Sequence, residues 1–204
     1  MKITKIGHSC LVVEEGNAKI LIDPGAYNDT PTATGINAVL ITHEHPDHID
    51  IASLASVLKQ NPQAQVITHS SVGALLDKEQ IKWQNITEGD ELILHGVSIK
   101  SYGTEHACIH PSIPLAHNTG FLIADMLFHP GDNFYDPGVP VEILALPVAA
   151  PWLKIQEVVE YAKKIHPKVV FPIHDGMLRE DRRSLTRRIP TTLLEPLGIS
   201  FVDM

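Results

Sequence analysis

Short β-branched runs alternate with turn residues through the first forty positions. Lys2 to Ile6, Cys10 to Val13 and Lys19 to Ile22 are separated by Gly7-His8 and by Glu15-Gly16-Asn17, a pattern that predicts a β-meander. Asp23-Pro24-Gly25 closes the third run with strong turn chemistry, and Asn28 to Gly35 reads as a Pro/Thr/Gly loop. Ala38 to Ile41 is apolar throughout, as a fully buried strand would be, and passes at once into Thr42-His43-Glu44-His45-Pro46-Asp47-His48. Ile51, Leu54, Ala55 and Leu58 then recur at i, i+3, i+4 and i+7, which predicts a helix. Gln65 to Thr68, Glu91 to Leu94 and Val97 to Ser101 read as strands, with a short helix over Ser71 to Asp77.

The second half repeats this order loosely. Gly103 to Asn118 is loop-like, with Pro111, Pro114 and three histidines inside it. Thr119 to Ile123, Met126 to Phe128, Val141 to Leu146 and Lys168 to Ile173 are predicted strands. Pro151 suits a first helical turn, and Ile155, Val158, Val159, Ala162 and Ile165 mark one buried helical face. A charged helix is expected near residues 178–188. No linker or low-complexity tract interrupts the chain, so residues 1–204 read as one layered α/β domain, two β-rich halves with helices outside.

Composition narrows the function. Hydrophobic residues are 44% and charged residues 20%, enough to build a core. Lys plus Arg is 16 against 24 Asp plus Glu, and the formal charge of −8 argues against a nucleic-acid binder. Cys10 and Cys108 cannot form a disulfide framework, which fits a reducing, cytoplasmic compartment. A signal peptide and a membrane span are not expected, because the apolar runs are short and interrupted by polar residues. The outlier is histidine, with 12 copies, and metal binding is the first explanation to test.

Four potential ligands, His43, His45, Asp47 and His48, fall within six residues at the end of a buried strand. Pro46 disfavours helical geometry at His45. In an extended chain positions 43, 45 and 47 point to one side, while Asp47 and His48 must diverge, so the segment has the means to serve two metal ions. It is not the helical H-E-x-x-H motif, because Asp47 stands where that motif needs histidine.

His43-x-His45-x-Asp47-His48 after a buried strand resembles the signature of the metallo-β-lactamase fold superfamily. Asp23 in Ile22-Asp23-Pro24-Gly25, His106, Asp132 in His129-Pro130-Gly131-Asp132, and His174 in Pro172-Ile173-His174 follow in the matching order. Gly7-His8-Ser9 and Pro-Ile-His look like the metal-dependent hydrolase branch that includes L-ascorbate-6-phosphate lactonase. The resemblance implies a four-layer αββα sandwich. It also implies one metal at His43, His45 and His106, a second at Asp47, His48 and His174, and Asp132 bridging. Asp23 is expected to orient these ligands, His8 either supports them or is a surface-turn residue, and Asp132, His174 and Asp47 are expected to take part in catalysis.

The implied activity is hydrolysis of a small, anionic ester, lactone or phosphodiester by water activated between two divalent cations, zinc first, manganese or iron after it. An iron-dependent oxidoreductase and a non-catalytic metal-binding protein are the alternatives. The partner expected is a small molecule, with neither nucleic acid nor membrane, and with room for a homo-oligomer.

Other residues carry open readings. His110 and His117 line a substrate entrance or are exposed loop residues, and Cys108 is a soft ligand or a small buried thiol. His69, His95, His129 and His166 carry no clear signal. All five arginines, Arg179, Arg182, Arg183, Arg187 and Arg188, lie within ten residues. They form a phosphate or subunit contact, or a solvated helix face partly paired with Glu180 and Asp181.

Overall fold

The alternation of side chains along the strands sorts the apolar residues into three layers. A computed structural model describes residues 1–29 and 31–204, and every side chain among them except that of Glu180. The strands of the first half are β1 (Lys2–Lys5), β2 (Leu11–Glu15), β3 (Ala18–Ile22), β4 (Ala38–Leu40), β5 (Gln65–Thr68) and β6 (Gln84–Asn85), joined in that order into one sheet. The second half supplies β7 (Glu91–Leu94), β8 (Val97–Tyr102), β9 (Gly120–Ile123), β10 (Leu127–His129), β11 (Ile143–Pro147), β12 (Val169–Ile173) and β13 (Ser200–Phe201). These form a second sheet in the order β13-β12-β11-β10-β9-β8-β7.

On β2, β3 and β4 the residues Leu11, Val13, Ile20, Ile22, Ala38 and Leu40 face the second sheet, where they meet Ile99, Phe121, Ile123, Ala145, Phe171 and Ile173. The alternate positions Val12, Leu21, Val39 and Ile41 turn outward to α1 (Ile51–Gln60) and α2 (Ser70–Lys78), through Leu54, Val57, Val72 and Leu76. On the other sheet Leu122, Leu144, Leu146 and Val170 pack on α3 (Ile155–Ile165) and α4 (Ser184–Leu194), through Val158, Ala162 and Leu194. Both sheets are therefore apolar on two faces, as the unbroken run Ala38 to Ile41 requires, and the result is the expected αββα order of layers.

The differences from expectation lie at element ends. Ala55 is exposed and Val57 takes its place beside Leu54 on the inner face of α1. Pro151 sits in a turn, because the Glu157 side chain accepts a hydrogen bond from the Lys154 backbone N–H (2.7 Å) and starts α3 only at Ile155. The arginine-rich segment is a short 3₁₀ turn, Glu180–Arg182, followed by α4, which contains Pro190 and extends to Leu194. β6 and β13 are two-residue edge strands too short to show a period.

Two substitutions check the layering. Phe121→Ala between the sheets should cost about 3–5 kcal/mol, whereas Ile93→Ala, on a side chain 66% exposed, should stay within about 0.5 kcal/mol. Urea unfolding monitored by tryptophan fluorescence reads both values.

Candidate metal centre

The sheet edges place the polar residues. β3 and β4 run parallel and end together at Ile22 and Leu40, so Asp23 and Thr42 emerge side by side. The Asp23 carboxylate is fully buried and accepts from Thr42 N (2.8 Å), Thr42 Oγ1 (2.7 Å) and His48 Nδ1 (2.7 Å). Its backbone φ of 47° is a left-handed conformation that the Asp23-Pro24-Gly25 turn imposes. Gly25 lets the histidine loop lie against that turn, since a Cβ there would fall 1.9 Å from the Asp47 carbonyl oxygen. Asp50 then caps α1 by accepting from Ser53 N (2.8 Å) and fixes the loop's exit.

Eight side chains meet in the cleft above these edges. The ligand atoms of His43, His45 and His106 lie within 4.8 Å of one another, as do those of Asp47, His48, His174 and His8, and those of His43, His48 and Asp132. Asp132 spans the two sides: its Oδ1 is 3.1 Å from His48 Nε2, and its Oδ2 is 2.9 Å from His174 Nε2 and 3.3 Å from His106 Nε2.

The imidazoles are aimed. His48 Nδ1–H donates to Asp23, His106 Nδ1–H to the Ala107 carbonyl (2.6 Å) and His174 Nδ1–H to the Ala149 carbonyl (2.6 Å), so each directs Nε2 inward. His48 Nε2, His106 Nε2, His174 Nε2 and Asp132 Oδ1 are buried there with no properly aligned hydrogen-bond partner. Buried polar atoms left this way cost about 1–3 kcal/mol each. A convergent set of imidazole nitrogens and carboxylate oxygens is what Zn²⁺, Mn²⁺ or Fe²⁺ accepts as ligands, so the residues fit such ions.

Electrostatics agree. Burial disfavours a charged His43 and, with His48 nearby, holds it well below the usual imidazole range. Burial opposes charge on His48 and His174 too, but Asp132 and Asp23 raise the first well above that range, and Asp132 and Asp47 push the second up to about 9. Asp132, despite burial, is held well below the carboxylate range by His48, His106 and His174. Asp47 is depressed likewise, against its burial, by His174 and His8.

One local expectation fails. Asp47 and His48 do not diverge to opposite sides: both lie in one group with His8 and His174, and His48 also approaches His43 and Asp132. The cause is a turn rather than an extended chain, with His48 N and Ile49 N both donating to the His45 carbonyl oxygen (2.9 and 3.0 Å). His8 is not at the surface. It is fully buried, its Nδ1 accepts from Gly176 N (3.0 Å), and its Nε2–H donates to Asp47 Oδ2 (3.2 Å).

Two residues that sequence reasoning passed over hold Asp132. Trp152 Nε1 donates to its Oδ2 (2.9 Å), and Asn118 Oδ1 accepts from its backbone N–H (2.9 Å). Gly131, with φ 64°, has no room for a side chain, because a Cβ would lie 2.1 Å from Asn118 Oδ1.

The remaining histidines have structural places. His69 is buried, caps α2 and stacks on His117 at 3.9 Å. His129 is buried against the Ser9 carbonyl, and His95 and His166 occupy left-handed turn positions. His110 is exposed and pairs with Ser112. Cys108 is exposed rather than buried, and Cys10 is the buried thiol. Arg179 and Arg182 are exposed beside Asp181, as a solvated face would have them, whereas Arg187 turns inward to Asp175. Pairing to Glu180 lies outside the described side chains.

Residues 2–174 match the family model described as Beta-lactamase superfamily domain. The chain is 40% identical over 191 residues to Protein Rv0786c of Mycobacterium tuberculosis, covering 91% of this chain and 89% of that one. It is 28% identical over 187 residues to the UPF0173 metal-dependent hydrolase MJ1163 of Methanocaldococcus jannaschii, covering 84% and 83%. Among solved structures it resembles Igni18, a metallo hydrolase from Ignicoccus hospitalis, with TM-score 0.74 and 18% identity over 99% of this chain and 94% of the other.

Two predictions follow from the packing around the cleft. Asp23→Asn should weaken cation affinity about 10–100-fold, measured against a competing chelator, because His48 loses the acceptor that orients it. His69 accepts from Ser71 N at Nδ1 and donates to the Thr42 carbonyl from Nε2, so it must be neutral, and burial lowers its pKa to about 4. The unfolded chain takes up this proton below about pH 6.5, so stability falls from there down to about pH 4, by about 3 kcal/mol in all. His69→Gln should flatten that part of the urea-midpoint profile of metal-stripped protein.

Proposed function

The chain belongs to the beta-lactamase superfamily, and on that premise we propose that it is a hydrolase working with two divalent cations on a small anionic ester, lactone or phosphodiester. Relatives named metal-dependent hydrolases support the reaction class. The observation that carries the two-cation reading is the set of three histidine Nε2 atoms and one Asp132 oxygen, buried without aligned partners and converging from both sheets.

His43, His45 and His106 would hold one cation, Asp47, His48 and His174 the other, and Asp132 would bridge. Bound there, zinc, or manganese or iron in its place, would acidify a shared water and draw charge from a carbonyl or phosphoryl oxygen. The chain's own residues do the positioning. Asp132 is locked by Trp152 and Asn118, so its two oxygens keep their separate directions. Asp47 is the more exposed carboxylate of the pair, and its low pKa keeps it an acceptor at working pH; it orients the attacking water and lets the proton pass to solvent. His174 has Nδ1 committed to Ala149, which presents Nε2 to the centre, where it would hold the second cation or pass a proton to the leaving group. His8 steadies Asp47 from behind. Residues 1–204 act as one unit in this reading, because both sheets supply ligands. The lactonase-like branch is favoured by Gly7-His8-Ser9, since His8 touches the Asp47 side of the centre.

Elemental analysis of purified protein should give two metal equivalents per chain. A panel of lactones, thioesters and phosphodiesters should include a turned-over substrate, with activity lost on chelation and restored by zinc or manganese. Asp132→Asn should lower kcat by at least about 100-fold, with metal content measured alongside. Full activity after chelation overturns the proposal, and iron with an oxygen-dependent product moves the chain to the oxidoreductase reading.

A further inference from the structure

His174 stands in a strained turn. Its φ is 61°, in the left-handed region that suits glycine rather than a histidine, so the segment after β12 must be held from outside. Part of the hold comes from His8, which follows β1: His174 N donates to the His8 carbonyl (2.8 Å) and Gly176 N to His8 Nδ1 (3.0 Å). The residue between those two donors is Asp175, 1% exposed.

Asp175 is gripped on both oxygens. Lys5 Nζ, from the last residue of β1, donates to Oδ1 (2.8 Å), and Arg187 Nη2, from α4, donates to Oδ2 (2.5 Å). The two cationic side chains are themselves only 6% and 12% exposed. Lys5 is fixed by its pairing with Leu11 on β2, and Arg187 by a second donation from Nε to Asp203 (2.8 Å). The turn is thereby tied to the edge of one sheet and to the helix outside the other. Stability is a weak reason to bury such a triad, because apolar residues of similar volume often serve a fold as well or better. What charged partners add is direction: each carboxylate oxygen is matched to its own donor, so the turn has one place to sit.

The effect falls on one side of the cleft. His8 Nε2 and His174 Nε2 lie 3.2 and 3.4 Å from the same oxygen, Asp47 Oδ2, and these three residues with His48 make one candidate ligand group. His43, His45 and His106 make another, and its members follow β4 and β8. We infer that Asp175, held by Lys5 and Arg187, is a positioning residue for the Asp47–His48–His174 half of the centre: it sets the turn that aims His174 and His8 at Asp47. On the two-cation reading, from which this follows, the second cation site and not the first depends on an ion triad outside the cleft.

Zinc titration against a competing chelator, with bound metal counted per chain, tests this. Wild type should take two equivalents. Asp175→Asn should take the first as wild type does and the second about 10–100-fold more weakly. The triple replacement Lys5→Met, Asp175→Leu and Arg187→Met should stay folded by urea unfolding and show the same selective loss. It removes two positive charges and one negative, so a general electrostatic effect would tighten cation binding, and weakening reports position. Arg187→Met alone should weaken the second site, whereas Arg187→Lys, which keeps a cation for Oδ2, should retain most of it. In metal-stripped protein the His174 Nδ1–H, bonded to Ala149, should shift and exchange faster in Asp175→Asn by NMR, while the His106 Nδ1–H, bonded to Ala107, stays as in wild type. A folded Asp175→Asn or triple variant with the second site of wild type overturns the inference, as does equal weakening of both equivalents. If wild type takes a single equivalent, the two-cation reading fails, and the pair of NMR signals alone decides the positioning role: an unchanged His174 overturns it.

Discussion

A single buried carboxylate organises the cleft. Asp23 accepts three hydrogen bonds at the point where two parallel strands end, and one of them fixes the ring of His48. An ionised group with no solvent contact is tolerable only when its lone pairs are matched by donors, and here the donors are Thr42 and the imidazole it orients. The demand therefore runs both ways: the charge needs the loop, and the loop takes its shape from the charge. Gly25 and Gly131 complete the arrangement by leaving room where the chain passes too close for a side chain.

Without a cation the cleft balances itself with protons. Asp132 and Asp47 stay ionised, and the raised affinity of His48 and His174 for hydrogen ions supplies the opposing charge. On the two-cation proposal, a divalent ion entering the same space would displace those protons, so metal uptake and hydrogen-ion release would be one event. The three Nδ1 anchors on Asp23, Ala107 and Ala149 persist in either state, which keeps the ring orientations ready before any ion arrives.

Much of this was legible in the chain because its signals are dense or periodic. The alternation Leu11-Val12-Val13 and Ile20-Leu21-Ile22 separates into inner and outer layers as written, and four ligand-type residues in six positions announce themselves. What escaped lacks a local signature. Trp152 and Asn118 reach Asp132 from 20 and 14 positions away, and a lone tryptophan or asparagine has no spacing to betray it. Which arginines turn inward depends on where α4 begins, and that is set by tertiary packing on Leu194 and Pro190 rather than by the run of charges. The turn at His45 is of the same kind: proline forbids one conformation there, but only the contact with Gly25 selects another.

The candidate ligands come from both sheets. His43 to His48 follow β4, His106 follows β8, Asp132 follows β10 and His174 ends β12. Each candidate ligand group draws on both halves of the chain, so its full set comes together only once the two sheets have closed face to face. Under the two-cation proposal, an ion there would act as a clasp between residues of both sheets.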